Sequence, residues 1–241
     1  MDMLDIVEKG GQLFLPNISV DIAILGFQED KLKILLLDFE GKWTLPGGYV
    51  FKEESTNDAA VRVLEERTGV KQSFLKLFTV FGGAKRNFKE EFREVAEKLD
   101  MPWSEDLWIN GRFVSMVYYA LVDIDKTQPT GGEWQQSFGW HDIKELPEMW
   151  LDHEAMAHAA MQKLQRDITL EHISFNLLPE EFTMPELHRL HETILNKKLE
   201  RSRFQKKMLS LGIFERLPEP KQDAPRRKPF LYRIKTELQN S

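Results

Sequence analysis

The chain contains no cysteine, which excludes disulfides and thiolate metal centres and fits a reducing compartment. No stretch approaches the roughly 20 apolar residues that a membrane helix needs. Residues 1–15 also lack the basic start and apolar core of a secretion signal. The sequence therefore reads as cytoplasmic, with no membrane partner. It shows no regular internal repeat. Long disorder is not expected either, because 41% of the residues are hydrophobic and 241 residues are enough to bury real cores.

The charge is unevenly distributed. The formal net charge is -6, but residues 1–170 carry 19 basic and 29 acidic side chains, whereas residues 171–241 carry 14 and 10. Between Lys197 and Lys235 there are 13 Lys or Arg against 4 Asp or Glu. An acidic body with a basic tail points to a module for a polyanion.

Along the chain, Val20–Phe27 and Leu32–Leu37 are apolar runs separated by Gln28-Glu29-Asp30, a hairpin pattern. Gly41–Val50 reads as a loop punctuated by Pro46-Gly47-Gly48. A helix is predicted from Ser55 to Thr68, with Ala59, Ala60, Val63 and Leu64 at helical spacing and Gly69 as its stop. Strands are expected at 74–81, 112–124 and 136–141. Between them, residues 82–111 form a polar insertion in which Phe88, Phe92, Val95 and Leu99 match one short amphipathic helix. A further helix is expected over 152–168, with Asp152 as its cap.

Gly48 to Val70, GYVFKEESTNDAAVRVLEERTGV, resembles the Nudix box, written G-x5-E-x7-R-E-U-x-E-E-x-G-U with U aliphatic. Gly48, Glu54, Arg62, Leu64, Glu66, Gly69 and Val70 fall in register. The resemblance implies an α/β fold, an α/β/α sandwich with a mixed sheet. In active Nudix hydrolases glutamates of the box helix bind Mg²⁺ or Mn²⁺ against a diphosphate. The corresponding positions here are Val63, Glu66 and Arg67, so one carboxylate stands where three would converge and Arg67 opposes a cation. Glu54 and Arg62 match a pair that is structural in the family. No catalytic residue, metal or cofactor is therefore expected, although Glu90, Glu91, Glu94 and Glu97 of the insertion offer substitute carboxylates.

In the tail, Thr183-Met-Pro-Glu186 forms a capping box with Pro185 inside the helix start, followed by Leu187, Leu190, Ile194 and Leu195 at core spacing. A second helix is predicted from about Arg201 to Leu211. Phe204 and Met208 face inward and Arg201, Ser202, Arg203, Lys206 and Lys207 outward. Residues 213–217 and 229–234 read as paired strands around a loop ending in Arg226, Arg227 and Lys228. Two helices and a cationic wing match a winged helix-turn-helix, a small α+β domain. Arg226, Arg227 and Lys228 suit phosphates, Arg203 or Lys206 base edges, and Thr183 joins the DNA-facing set. His188 and His191, three apart beside Glu192, are expected on a polar helix face.

Taken together, the chain resembles Nudix-related transcriptional regulators, which join a degenerate Nudix domain to a C-terminal winged helix. The expected division is an N-terminal extension over 1–17, an effector-binding Nudix domain over 18–170 and a DNA-binding winged helix over 171–241. The resemblance implies a homodimer on palindromic double-stranded operator DNA, with a metabolite of the sugar or ADP-ribose class in the former substrate cleft. A sugar would use Trp43, Glu54, Glu66, Trp103, Trp108 and Tyr119. ADP-ribose would use Lys52, Arg62, Arg67 and Arg112, and Gly48 belongs to the expected ligand-binding set. The aromatic set leans toward a sugar or sugar phosphate, and the insertion is expected over the cleft. Two other readings remain open, a Nudix hydrolase acting on a substrate such as ADP-ribose and a protein-interaction adaptor.

Overall fold

The computed structural model describes residues 3–71, 73–130, 137–218 and 229–235. Its long first strand, β1 (Phe14–Gln28), carries Val20, Ile22 and Ile24 toward one face and Ala23 and Leu25 toward the other, all buried. A strand buried on both faces needs a cover on each, and the rest of the domain supplies them. β1 pairs antiparallel with β2 (Lys31–Phe39) and parallel with β6 (Val114–Val122), so the sheet is mixed. β5 (Phe74–Phe81) extends it beyond β6, while β3 (Lys42–Thr44) and β7 (Ser137–Asp142) both pair with β2.

Helix α2 (Thr56–Thr68) covers one face. Ala59, Ala60, Val63 and Leu64 pack with Val20, Ile22, Ile24, Tyr118 and Ala120. Ser55 and Asp58 close a capping box at its start, and Gly69, at φ 70°, ends it in the left-handed region. Helix α4 (His153–Leu170) covers the other face with Met156, Ala157, Ala160, Leu164 and Ile168. This is the expected α/β/α sandwich.

Four local expectations change. The 41–50 loop contains β3 and β4 (Gly47–Phe51), because β4 finds a backbone partner in β1 and Pro46 accepts a hydrogen bond from the Ile22 amide at 2.8 Å. Residues 3–13 form a helix, α1 (Met3–Leu13), which docks on the insertion: Trp108 Nε1 donates to the Ile6 carbonyl at 2.9 Å. Val7 joins Phe92, Ile109 and Phe113 in a small separate core. The insertion helix α3 (Lys89–Lys98) buries Phe92 and Val95 as predicted but leaves Leu99 exposed. Asp152 precedes α4 without a capping bond, because Arg86 takes both its carboxylate oxygens, at 2.7 and 3.1 Å.

The C-terminal part contains α5 (Met184–Leu195), α6 (Arg201–Ser210) and a three-stranded sheet in the order β8-β10-β9, formed by Phe182–Thr183, Leu231–Ile234 and Phe214–Arg216. Among the described residues no helix is long and apolar enough to cross a membrane. Leu187, Leu190, Ile194, Phe204, Met208 and Tyr232 continue the same hydrophobic core that α4 begins. The β1–β2 turn adds polar contacts: Asp30 accepts from Arg189 at 2.8 Å through its carboxylate and from Thr193 at 3.1 Å through its carbonyl.

Candidate effector and nucleic-acid sites

The box residues assemble as a frame. Arg62, on α2, donates to both oxygens of Glu54 at 3.1 and 2.6 Å, to the Tyr49 carbonyl at 2.9 Å and, more weakly, to Glu66 at 3.5 Å. The Phe51 amide donates to Glu54 at 2.8 Å, and the Arg62 guanidinium lies over the Phe51 ring. Arg62 thus ties the strand that opens the box to the helix within it. Gly48 is required for this approach, since a Cβ there would come within 2.8 Å of Val63 Cγ2. Val63 is buried in the core beneath, and half of the Glu66 side chain is exposed. Arg67, at the end of α2, is half-buried; burial pushes its guanidinium pKa down against the opposing charge of Glu66.

The other expected effector residues lie elsewhere. Trp43 packs edge-on against His141 at 4.3 Å, on the α4 side of the sheet. Tyr119 is buried on that side too and donates to the buried Asp167 at 2.6 Å. Lys52 donates to the Gly11 carbonyl near the end of α1, and the exposed Arg112 donates to the Gly82 carbonyl. Gly48, Glu54, Arg62 and Glu66 are therefore brought together, whereas Trp43, Lys52, Arg112 and Tyr119 are dispersed. Trp108 and Trp103 belong to the small core under α1.

A cavity of about 570 Å³ opens between α3 and the turn before α4, lined by Glu40, Lys42, Glu91, Glu94, Trp150 and Leu151 among others. Next to that turn lie three residues outside the sequence-based expectations: Asp21, Arg86 and His153, all with largely buried side chains. The one signal for them in the sequence is Asp21, a charged residue inside the apolar run Val20–Leu25.

In the C-terminal part, α6 sits on α5 through Phe204 and Met208, and Arg201, Ser202, Arg203, Lys206 and Lys207 all face solvent. Glu200 caps α6 by accepting from the Ser202 and Arg203 amides at 2.9 and 2.6 Å. Thr183 is the cap of α5: its hydroxyl and amide both meet the Glu186 carboxylate. Arg226, Arg227 and Lys228 lie outside the described residues. His188 and His191 do not sit on a polar face. They pack edge-on against Phe204 at 5.1 and 4.9 Å, and His191 is buried between the two helices.

Comparison with known proteins agrees with this architecture. Residues 16–162 match the NUDIX domain family and residues 174–234 match the NrtR DNA-binding winged helix domain. A protein of Acinetobacter baylyi described as "ADPR responsive transcriptional repressor NtrR" is 28% identical over 228 residues, covering 91% of this chain and 82% of that protein. The crystal structure of Shewanella oneidensis NrtR shares the fold at 22% identity, with a TM-score of 0.68 over 90% of this chain and 94% of that one. A MutT/nudix family protein from Enterococcus faecalis does so at 21% identity, with a TM-score of 0.67 over 98% and 94%. The chain belongs to the NUDIX domain family, with an NrtR-type winged helix domain at its C-terminal end.

Proposed function

We propose that this chain is a transcriptional repressor that binds operator DNA through α6 and responds to ADP-ribose through its Nudix domain. The observation that carries the reading is the solvent face of α6. Four cations and Ser202 project outward from a helix whose inner residues are locked to α5, which is the presentation a major-groove helix requires. The similarity to the Acinetobacter repressor spans both parts of the chain and favours ADP-ribose over the sugar toward which the aromatic residues lean. A homodimer on a two-fold operator belongs to the same proposal.

The Nudix part supports binding without turnover. Val63 offers no oxygen and is packed in the core, Arg67 is a cation, and Glu66 is partly engaged by Arg62. Glu91, Glu94 and Glu97 line the cavity beside Trp150, whereas the outer face of α2 is lined by Asp58, Val61, Arg62, Glu65 and Glu66. Among the described residues no three His, Asp or Glu side chains are grouped to hold a metal ion. The residues present do not fit the divalent ions of a Nudix hydrolase.

Mobility shifts on DNA upstream of the gene and its neighbours test the proposal. A specific complex is expected that weakens as salt rises, weakens further in Arg203→Ala and dissociates on adding ADP-ribose. Binding indifferent to sequence would remove the operator reading. Release of AMP from ADP-ribose with Mg²⁺ would restore the hydrolase.

A further inference from the structure

Asp21 sits on β1 opposite Gly47 of β4 and is 7% exposed. It belongs to the same alternating set as Ala23 and Leu25, the set that faces α4. Its Oδ1 lies so close to Gly47 that a Cβ there would come within 2.5 Å, so the carboxylate is seated directly over the start of β4. Among the described residues no hydrogen bond or ion pair reaches it. Neither carboxylate oxygen is among the polar atoms sealed from solvent without a partner, so a largely buried acceptor stays reachable from outside.

His153 stands beside it as the first residue of α4, 8% exposed. The Leu45 amide donates to His153 Nδ1 at 3.0 Å, which leaves the proton of the neutral ring on Nε2. Burial holds the ring neutral against the pull of the Asp21 and Asp152 charges. No described residue accepts from that Nε2. Tyr49 follows Gly47 by two positions on β4; burial, and then the Asp21 charge, push its phenol pKa up. Two residues before His153, Leu151 is held at φ 50°, and with Trp150 it lines the 570 Å³ cavity. An unused acceptor, an unused donor and a phenol thus share one interior corner, next to space open to solvent.

We infer that Asp21 and His153 bind the hydroxyl groups of the effector's sugar, Asp21 accepting from two neighbouring hydroxyls and His153 Nε2–H donating to a hydroxyl oxygen. A polyol fits where a cation does not, because hydroxyls both donate to a carboxylate and accept from an imidazole N–H. The assignment rests on the reading of the chain as an effector-responsive repressor and places the sugar on the α4 side of the sheet, opposite the α2 helix of the Nudix box.

The test is calorimetric titration of the full chain with ADP-ribose, D-ribose and L-arabinose, for wild type, Asp21→Asn and His153→Gln, with melting curves for each. Asp21→Asn is expected to weaken ADP-ribose binding by about 10-fold to 100-fold. It should nevertheless melt close to the wild-type temperature, since no hydrogen bond or ion pair within the described residues is lost. Gln at 153 keeps an acceptor for the Leu45 amide, and the same loss of affinity is expected there. Equal ADP-ribose affinity in wild type and Asp21→Asn overturns the inference and leaves the repressor reading standing. If wild type binds a pentose but not ADP-ribose, the effector in the repressor reading falls, and loss of pentose binding in Asp21→Asn still supports the site. Binding of none of the three by wild type overturns both.

Discussion

At the scale of single residues, buried charge decides more than motif membership does. Glu54 and Arg62 are largely shielded, with 15% and 28% of their side chains exposed. Burial pushes the Glu54 carboxyl pKa up, but the Arg62 hydrogen bond, the Phe51 amide and the Arg62 charge outweigh it and hold the carboxyl below its ordinary range. The folded pKa is depressed, so the stabilisation is present above the unfolded value and is lost as pH falls through the folded one. Arg62→Ala is expected to cost about 2 kcal/mol at pH 7, between an exposed and a fully buried pair, as read from urea unfolding. A loss below about 0.5 kcal/mol would show that the frame holds without it.

His191 gives the same pH sign in a higher window. Burial first, then the charges of Lys207 and His188, lower its pKa to about 4. The unfolded chain therefore binds the extra proton between the ordinary histidine value and 4, and stability falls as pH drops across that window. The loss integrates to on the order of 3 kcal/mol. The urea midpoint should drop between pH 7 and pH 5 in wild type and drop less in His191→Leu. His141 and His153 shift in the same direction, which is why the comparison with the variant is needed. An identical pH response in both proteins would place the sensitivity elsewhere.

At the scale of elements, caps and close approaches set the helices that carry the sites. The Thr183–Glu186 box engages the Thr183 hydroxyl and amide and the Glu186 amide within α5 itself. Thr183→Ala is expected to destabilise the protein by about 1 kcal/mol, seen as a lower melting temperature. A melting temperature unchanged from wild type would leave the box without energetic weight. The elements most legible in the sequence were those with their own helical period, α2, α4, α5 and α6. The β3–β4 segment was not, because Trp43–Val50 has no strand period of its own and takes its conformation from pairing with β1 and β2. α1 was hidden for a related reason: its buried partner, Trp108, lies about a hundred residues away.

At the scale of the molecule, the two parts do not fold around separate centres. One hydrophobic cluster runs from Ala23 and Leu36 through Met156 and Leu164 to Leu187, Phe204 and Tyr232. The Asp30 turn and the bond from Gln165 to the Ile194 carbonyl at 2.9 Å add polar contacts across the junction. Calorimetric unfolding is therefore expected to show one cooperative transition. Two resolved peaks would show that the winged helix melts as its own unit. A shared core also gives the effector side a physical connection to α5, the helix on which α6 rests.

Sequence alone determined the class of fold, the register of the box, the valine and arginine at its positions 63 and 67 and the basic winged helix, because each is written in local spacing and in the chemistry of single side chains. Which residues meet was decided only by the tertiary structure. It buried Tyr119 against Asp167, turned His191 inward onto Phe204, and brought Asp21 beside His153 across more than a hundred residues of chain. A carboxylate's need for a partner depends on what surrounds it, and its surroundings come from strands and helices that are distant in sequence.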